Sequence, residues 1–177
     1  MKFDVTQRIQ GSVDEVQRAM LHPDYPAFLL QHHGVLLEVE PLELNDSGDV
    51  VRRRVRYRPR PVINQIGPKH IPPEWFAFVE ESTFDKRRKE MTFKNVPTSR
   101  SISNMLVNTG TIRLRDVGGQ TERTVSGDIN IKVPFLLKPL AVIAEKIIQS
   151  EGTKILDGDV PVLNRFIAEK LRASSVA

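Results

Sequence analysis

The strongest constraint on the fold lies in the last third of the chain. From Thr124 to Val133 the residues alternate. Val125, Ile129, Ile131 and Val133 share one face with Gly127, while Thr124, Ser126, Asp128, Asn130 and Lys132 take the other. A strand with one apolar and one wet face belongs to an antiparallel sheet covered on one side. Pro134 ends the strand, and Pro139 sits where a helix can begin. From there to about Arg172 the apolar period is helical, with Leu140, Ile143, Ile147, Ile155, Val162 and Phe166 in one broad arc. Such a helix runs for about 30 residues, roughly 45 Å. Its first half is expected to face the sheet through Leu140, Ile143 and Ile147. Gly152 and Gly158 disfavour the helix interior, so a kink or break is expected there.

The rest of the chain supplies the sheet. Lys2 to Ile9 reads as a strand with Phe3, Val5, Gln7 and Ile9 on one face. Gly11 breaks it. Ser12 stands three residues before Glu15, a capping-box spacing that starts a short helix carrying Val13, Val16 and Met20 inward. A second short helix is expected around Asp24 to Gln31, with Pro26 in its first turn. Strands resume at Val35, turn at Asn45-Asp46-Ser47-Gly48, and continue from Asp49 to Arg60. Pro61, Gly67, Pro68, Pro72 and Pro73 make the next stretch an irregular loop. Trp75 to Ser82 and Arg88 to Lys94 read as a hairpin. Leu106 to Arg115 and Thr121 to Val133 read as another, joined through Gly118-Gly119. The expected fold is α+β: a curved seven-stranded antiparallel sheet, two short N-terminal helices, and one long C-terminal helix gripped by the sheet. Residues 1–172 form one domain, and 173–177 a frayed tail.

This order of elements resembles the START/Bet v 1-like (SRPBCC) superfamily, which has the helix-grip fold. The passage Ser126 to Ile148, in which a strand ending Ile131-Lys132-Val133-Pro134 leads into a helix carrying Glu145 and Lys146, resembles a bacterial DUF2505-like branch of it. The resemblance covers nearly the whole chain. It implies a cavity between sheet and long helix that holds a lipid, sterol, polyketide or other apolar molecule for transport, sequestration or sensing. Some members are enzymes, so a polyketide-cyclase or hydrolase-like activity is the alternative. Fold alone does not decide between them.

Two constellations offer candidate sites. On the strand around Tyr57, Arg52, Arg54, Arg56, Arg58 and Arg60 share one face, and Arg53 and Tyr57 share the other. The five-arginine face is either a solvated surface paired with Glu38, Glu40, Glu80 or Glu90, or an anion-binding surface for an anionic membrane or acidic partner. On the long helix, Glu151 and Lys154 fall within the apolar arc, and Gly158 removes a side chain from it. Facing a closed core they would be costly; facing a cavity they would orient the polar end of a ligand. Arg53, Tyr57, Trp75, Ile147, Glu151, Lys154 and Gly158 are therefore the candidate ligand-binding residues, with Arg53 and Glu151 as a candidate pair. The loop Pro61 to Pro73, with Trp75 after it, either gates such a cavity or is a rigid connector.

Composition narrows the alternatives. The 177 residues contain no cysteine, which removes thiolate chemistry and fits a cytoplasmic location. Met1 to Ile9 lacks the apolar run of a signal peptide. His22, His32, His33 and His70 have no metal-ligand spacing and are expected at the surface or in loops; no metal or other cofactor is expected. Aromatic residues make up 6% of the chain and interleave with no basic recognition helix, so nucleic acid is not an expected partner.

Overall fold

Seven strands of alternating polarity pair edge to edge in the computed structural model, which describes residues 1–61, 64–66, 68–132 and 138–173. In chain order the elements are β1 (Lys2–Ile9), α1 (Val13–Leu21), α2 (Tyr25–His32), β2 (Leu36–Asp46) and β3 (Val50–Pro59). Two-residue strands β4 (Gln65–Ile66) and β5 (Lys69–His70) follow, then β6 (Phe78–Asp85), β7 (Glu90–Pro97), β8 (Leu106–Val117), β9 (Gln120–Ile131) and α3 (Lys138–Phe166). The large sheet has the order β1-β9-β8-β7-β6-β3-β2, antiparallel throughout, and β4 pairs with β5 apart from it. Among the described residues no helix is long and apolar enough to cross a membrane. The expected strand end at Val133 and Pro134, and the tail beyond Ala173, lie outside the described residues.

Local chemistry explains the short elements. Ser12 Oγ accepts from the Glu15 N–H at 3.3 Å, and a Glu15 carboxylate oxygen accepts from the Ser12 N–H at 2.8 Å, so the expected capping box starts α1. The same carboxylate takes Arg172 from the far end of the chain, at 2.8 and 3.0 Å. The Arg172 guanidinium first, and the Ser12 N–H next, hold the Glu15 carboxyl down to about 2. A folded-state pKa below the unfolded one adds stability that is full above about pH 4.5 and lost as pH falls towards 2. Glu15→Gln is expected to cost about 1 kcal/mol at neutral pH. In urea titrations from pH 7 to pH 2, the gap between variant and wild type should close across that window.

Three expectations about local structure change. Trp75 lies in a 3-10 turn, Pro73–Phe76, and the strand starts only at Phe78. Pro72 and Pro73 cannot donate to a ladder, which keeps this segment out of the sheet. The proline-rich loop carries the small β4–β5 pair. α3 runs unbroken through Gly152 and Gly158. Each glycine costs about 1 kcal/mol against alanine, and burial of the helix's last turns outweighs this. Val162, Leu163, Phe166 and Ile167 are all in the core.

That core sits at one end of the sheet. Val51, Phe84, Met91, Ile112 and Val125 line up across β3, β6, β7, β8 and β9. They meet Val16 and Met20 of α1, Phe28 and Leu29 of α2, and the end of α3. Phe166 receives Tyr25 and Phe28 edge-on, with ring centroids 5.2 and 5.1 Å away. The first half of α3 differs from expectation. Val142 and Ile143 are 49% exposed, and no described side chain between them and Pro161 is buried. The Leu140 side chain lies outside the description. Helical period identifies an apolar arc, but the arc's partner depends on how far the sheet reaches. Here the buried core reaches the second half.

Candidate functional site

α3 lies along the β1–β9 side of the sheet. Its Glu145 carboxylate accepts from the Ile131 N–H at 3.0 Å, and Asp157 accepts from the Gln7 amide at 2.9 Å. Farther on, Asn164 accepts from the Gln10 N–H at 2.7 Å. The concave face of β3, β6, β7 and β8 beyond the core row is left less covered. Tyr57, Phe78, Phe93, Asn95 and Asn108 on that face are only half-buried.

This face is polar in its middle. Register sets Val55, Glu80, Asn95, Asn108 and Ile129 in one row across five strands, and Arg53 beside Ser82 in the next. Arg53 donates to Glu80 at 3.1 Å, to Ser82 Oγ at 3.2 Å, and to the Met20 carbonyl at the end of α1 at 2.8 Å. Burial works most strongly against its charge, but Glu80, together with Tyr57 and Tyr25, raises its pKa on balance. Tyr57 stacks on Phe78, and burial, then Glu80, pushes its phenol well up, so it stays neutral. The side-chain oxygens of Asn95 and Asn108 are buried and accept no hydrogen bond from the described residues.

The structure brings some candidate residues together and separates others. Arg53 and Tyr57 point into the concave face as expected. Glu151 does not meet Arg53; it takes Lys154, one turn along the same helix, at 2.6 Å. The reason is strand order. β3 lies four strands from β9, about 19 Å along the sheet at about 4.8 Å per strand. Parity showed which face each residue takes, not which strand lies under the helix. Ile147 is half-buried on α3, and Lys154 is exposed. Trp75 is half-buried on its turn before β6.

Gly158 serves a different contact. His33 packs on it, and its Nε2 lies 2.9 Å from the Ile155 carbonyl. His33 lies in the loop after α2, as expected, but its side chain is buried, at 4% exposure. A cleft of about 310 Å³ lies beside this contact, walled by His33, Gly158, Pro161 and Val162.

On the outer face, Arg54 lies 3.9 Å from Glu43 and 3.5 Å from Glu81. Arg56 takes Glu40 at 2.6 Å and Arg58 takes Glu38 at 3.1 Å. Arg60 donates to the Gly34 carbonyl, and Arg52 is exposed. A groove of about 480 Å³ crosses this face, and Glu43 and Glu81 line it along with Arg52 and Arg54. On this face Arg54, Arg56 and Arg58 are thus met by acids across the strands. Glu80 is not among them, because it faces inward; Glu90 pairs with Arg113 instead.

One buried cluster escaped the sequence reading. Arg123 is 2% exposed and donates to Gln7 Oε1 at 2.6 and 3.0 Å, to Asp159 at 2.5 Å and to the Leu156 carbonyl at 3.3 Å. The Tyr25 hydroxyl donates to the other Asp159 oxygen. β1, β9, α2 and α3 therefore meet in one polar joint. A signal existed: Arg123 has the parity of Val125, and Gln7 that of Ile9.

Comparison with known proteins follows from this architecture. No family model and no curated protein sequence matches the chain, so the bacterial branch is not assigned. Solved structures do match. TTHA0849 from Thermus thermophilus aligns with a TM-score of 0.65 at 15% identity, over 96% of this chain and 99% of its own. The Zhui aromatase/cyclase from Streptomyces aligns at 0.64 and 11% identity, over 98% and 97%. Norcoclaurine synthase from Thalictrum flavum aligns at 0.62 and 14% identity, over 96% and 87%. The chain has the helix-grip fold. At these identities the likeness speaks for the fold alone.

Proposed function

We propose that this helix-grip protein binds a small apolar molecule between the concave face of its sheet and the first half of α3. One observation carries the reading. The concave face is closed at the core end and only partly buried at the other, where Tyr57, Phe78, Phe93, Asn95 and Asn108 lie. Apolar walls with a few convergent polar groups are what a small-molecule site requires. Among the expected ligand-binding residues, Arg53 and Tyr57 belong to this floor and Ile147 to the helix above it. Glu151, Lys154 and Gly158 do not enter the reading. The acids opposite the arginine strand remove the excess charge that an anion surface would need.

The test is a fluorescence titration with N-phenyl-1-naphthylamine, a neutral apolar dye. Saturable binding of one dye per chain is expected. Asn95→Trp, which puts bulk into the space, should weaken it at least tenfold while the melting transition is kept. Absence of saturable binding in the folded wild type would overturn the proposal.

A further inference from the structure

We infer that the ligand is an uncharged molecule presenting hydrogen-bond donors, such as hydroxyl groups, to Asn95 and Asn108, and that the site rejects carboxylates. This rests on the proposed cavity and specifies its occupant.

The argument starts from register. Glu80 pairs with Asn95 and Asn95 with Asn108, so the three side chains stand in line on one face of adjacent strands. Neighbouring strands are about 4.8 Å apart, which spaces these polar groups about 5 Å from each other. A buried carbonyl oxygen without a donor costs about 1–3 kcal/mol, and two stand side by side here. A ligand hydroxyl or N–H would satisfy each. A carboxylate has no proton to offer them and would also lie near Glu80.

Arg53 does not reverse this preference. Its Nε, Nη1 and Nη2 donate to Ser82, Met20 and Glu80, and Glu80 neutralises its charge. Tyr57 adds one hydroxyl able to donate or accept, without charge. The face therefore has no cation left over, and the Asn95 and Asn108 amides bring it N–H donors as well as oxygens but no charge.

Three matched naphthalenes test the inference by displacing N-phenyl-1-naphthylamine at pH 7.5: 1-naphthol, a neutral donor; 1-methoxynaphthalene, neutral without a donor; and 1-naphthoate, an anion. One satisfied acceptor is worth about 1 kcal/mol, or about fivefold in affinity. Naphthol is expected to bind at least fivefold tighter than the methyl ether and at least tenfold tighter than naphthoate. In the Asn95→Leu/Asn108→Leu variant, which keeps side-chain size, naphthol should lose its advantage over the ether, each affinity being read against the variant's own dye affinity. Asn95→Asp/Asn108→Asp keeps acceptors at both positions, so its naphthol preference should survive and its naphthoate binding should fall further. If the dye binds but the ether matches naphthol, or naphthoate does, the inference is overturned and the cavity stands. If the dye does not bind, the cavity reading fails, and this inference with it.

Discussion

Arg123→Met is expected to lower the free energy of unfolding by about 3–5 kcal/mol. The side chain lies in the joint between α3 and the sheet, and Met replaces its bulk but none of its donors. Asp159, with 16% side-chain exposure, would keep a charge met, among the described residues, by the Tyr25 hydroxyl. Gln7 Oε1 would lose both hydrogen bonds from the guanidinium, and the Leu156 carbonyl would lose one. Urea denaturation reads the loss. The partner variant Asp159→Asn separates pairing from bulk. If the ion pair carries the effect, Arg123→Met/Asp159→Asn should be less destabilised than the sum of the two single changes, by at least 1 kcal/mol. A loss below about 1 kcal/mol for Arg123→Met would show that the joint holds without it.

Gly158→Ala sets two effects of opposite sign against each other. Alanine favours the helix interior over glycine by about 1 kcal/mol. The added Cβ, however, would stand 2.9 Å from His33 Nε2 and 3.0 Å from its Cε1, closer than such contacts allow. The ring has little room to yield, because it is buried and bonded to the Ile155 carbonyl. Overpacking of this kind costs about 1–3 kcal/mol, so a net loss of up to about 2 kcal/mol is expected from thermal or urea unfolding. In a His33→Ala background the obstacle is gone, and the same change should become neutral or stabilising. If Gly158→Ala stabilises the wild type, the contact between α2 and α3 is not rigid.

The sequence made the architecture readable for physical reasons visible in particular residues. The alternation in β9, the turn at Gly118-Gly119 and the Ser12–Glu15 cap are local, and each has one low-energy solution. The face taken by Arg53 and Tyr57 was readable too, because parity along a strand is strict. What parity cannot supply is the neighbour across space. Both faces of Trp75 to Val79 are apolar, so pattern alone does not keep Glu80 on the arginine side, and its inward turn appears only once Val55 is found opposite it. Arg53 and Glu151 were paired by shared orientation although four strand spacings intervene. Arg123 has the parity of the apolar members of β9, but a charge at such a position reveals nothing of Asp159, the acid from another element that lets it be buried. His33 gave no signal, since an adjacent His32-His33 pair shows that the two diverge but not which of them turns inward.

The uneven anchorage of α3 has a mechanical consequence. Its last turns are clamped by the Arg123 joint, by His33 and by Phe166 in the core. Of its first turns, the described hold on the sheet includes the Glu145 bond to β9. The helix is thus held at both ends, but more heavily at its last turns than at its first, where Ala141 is buried and Glu145 meets β9 and lies 3.7 Å from the N-terminal amine. Flexing of the lightly held first turns would widen the gap above the sheet without disturbing the clamped end, at a free-energy cost below that of unfolding the protein.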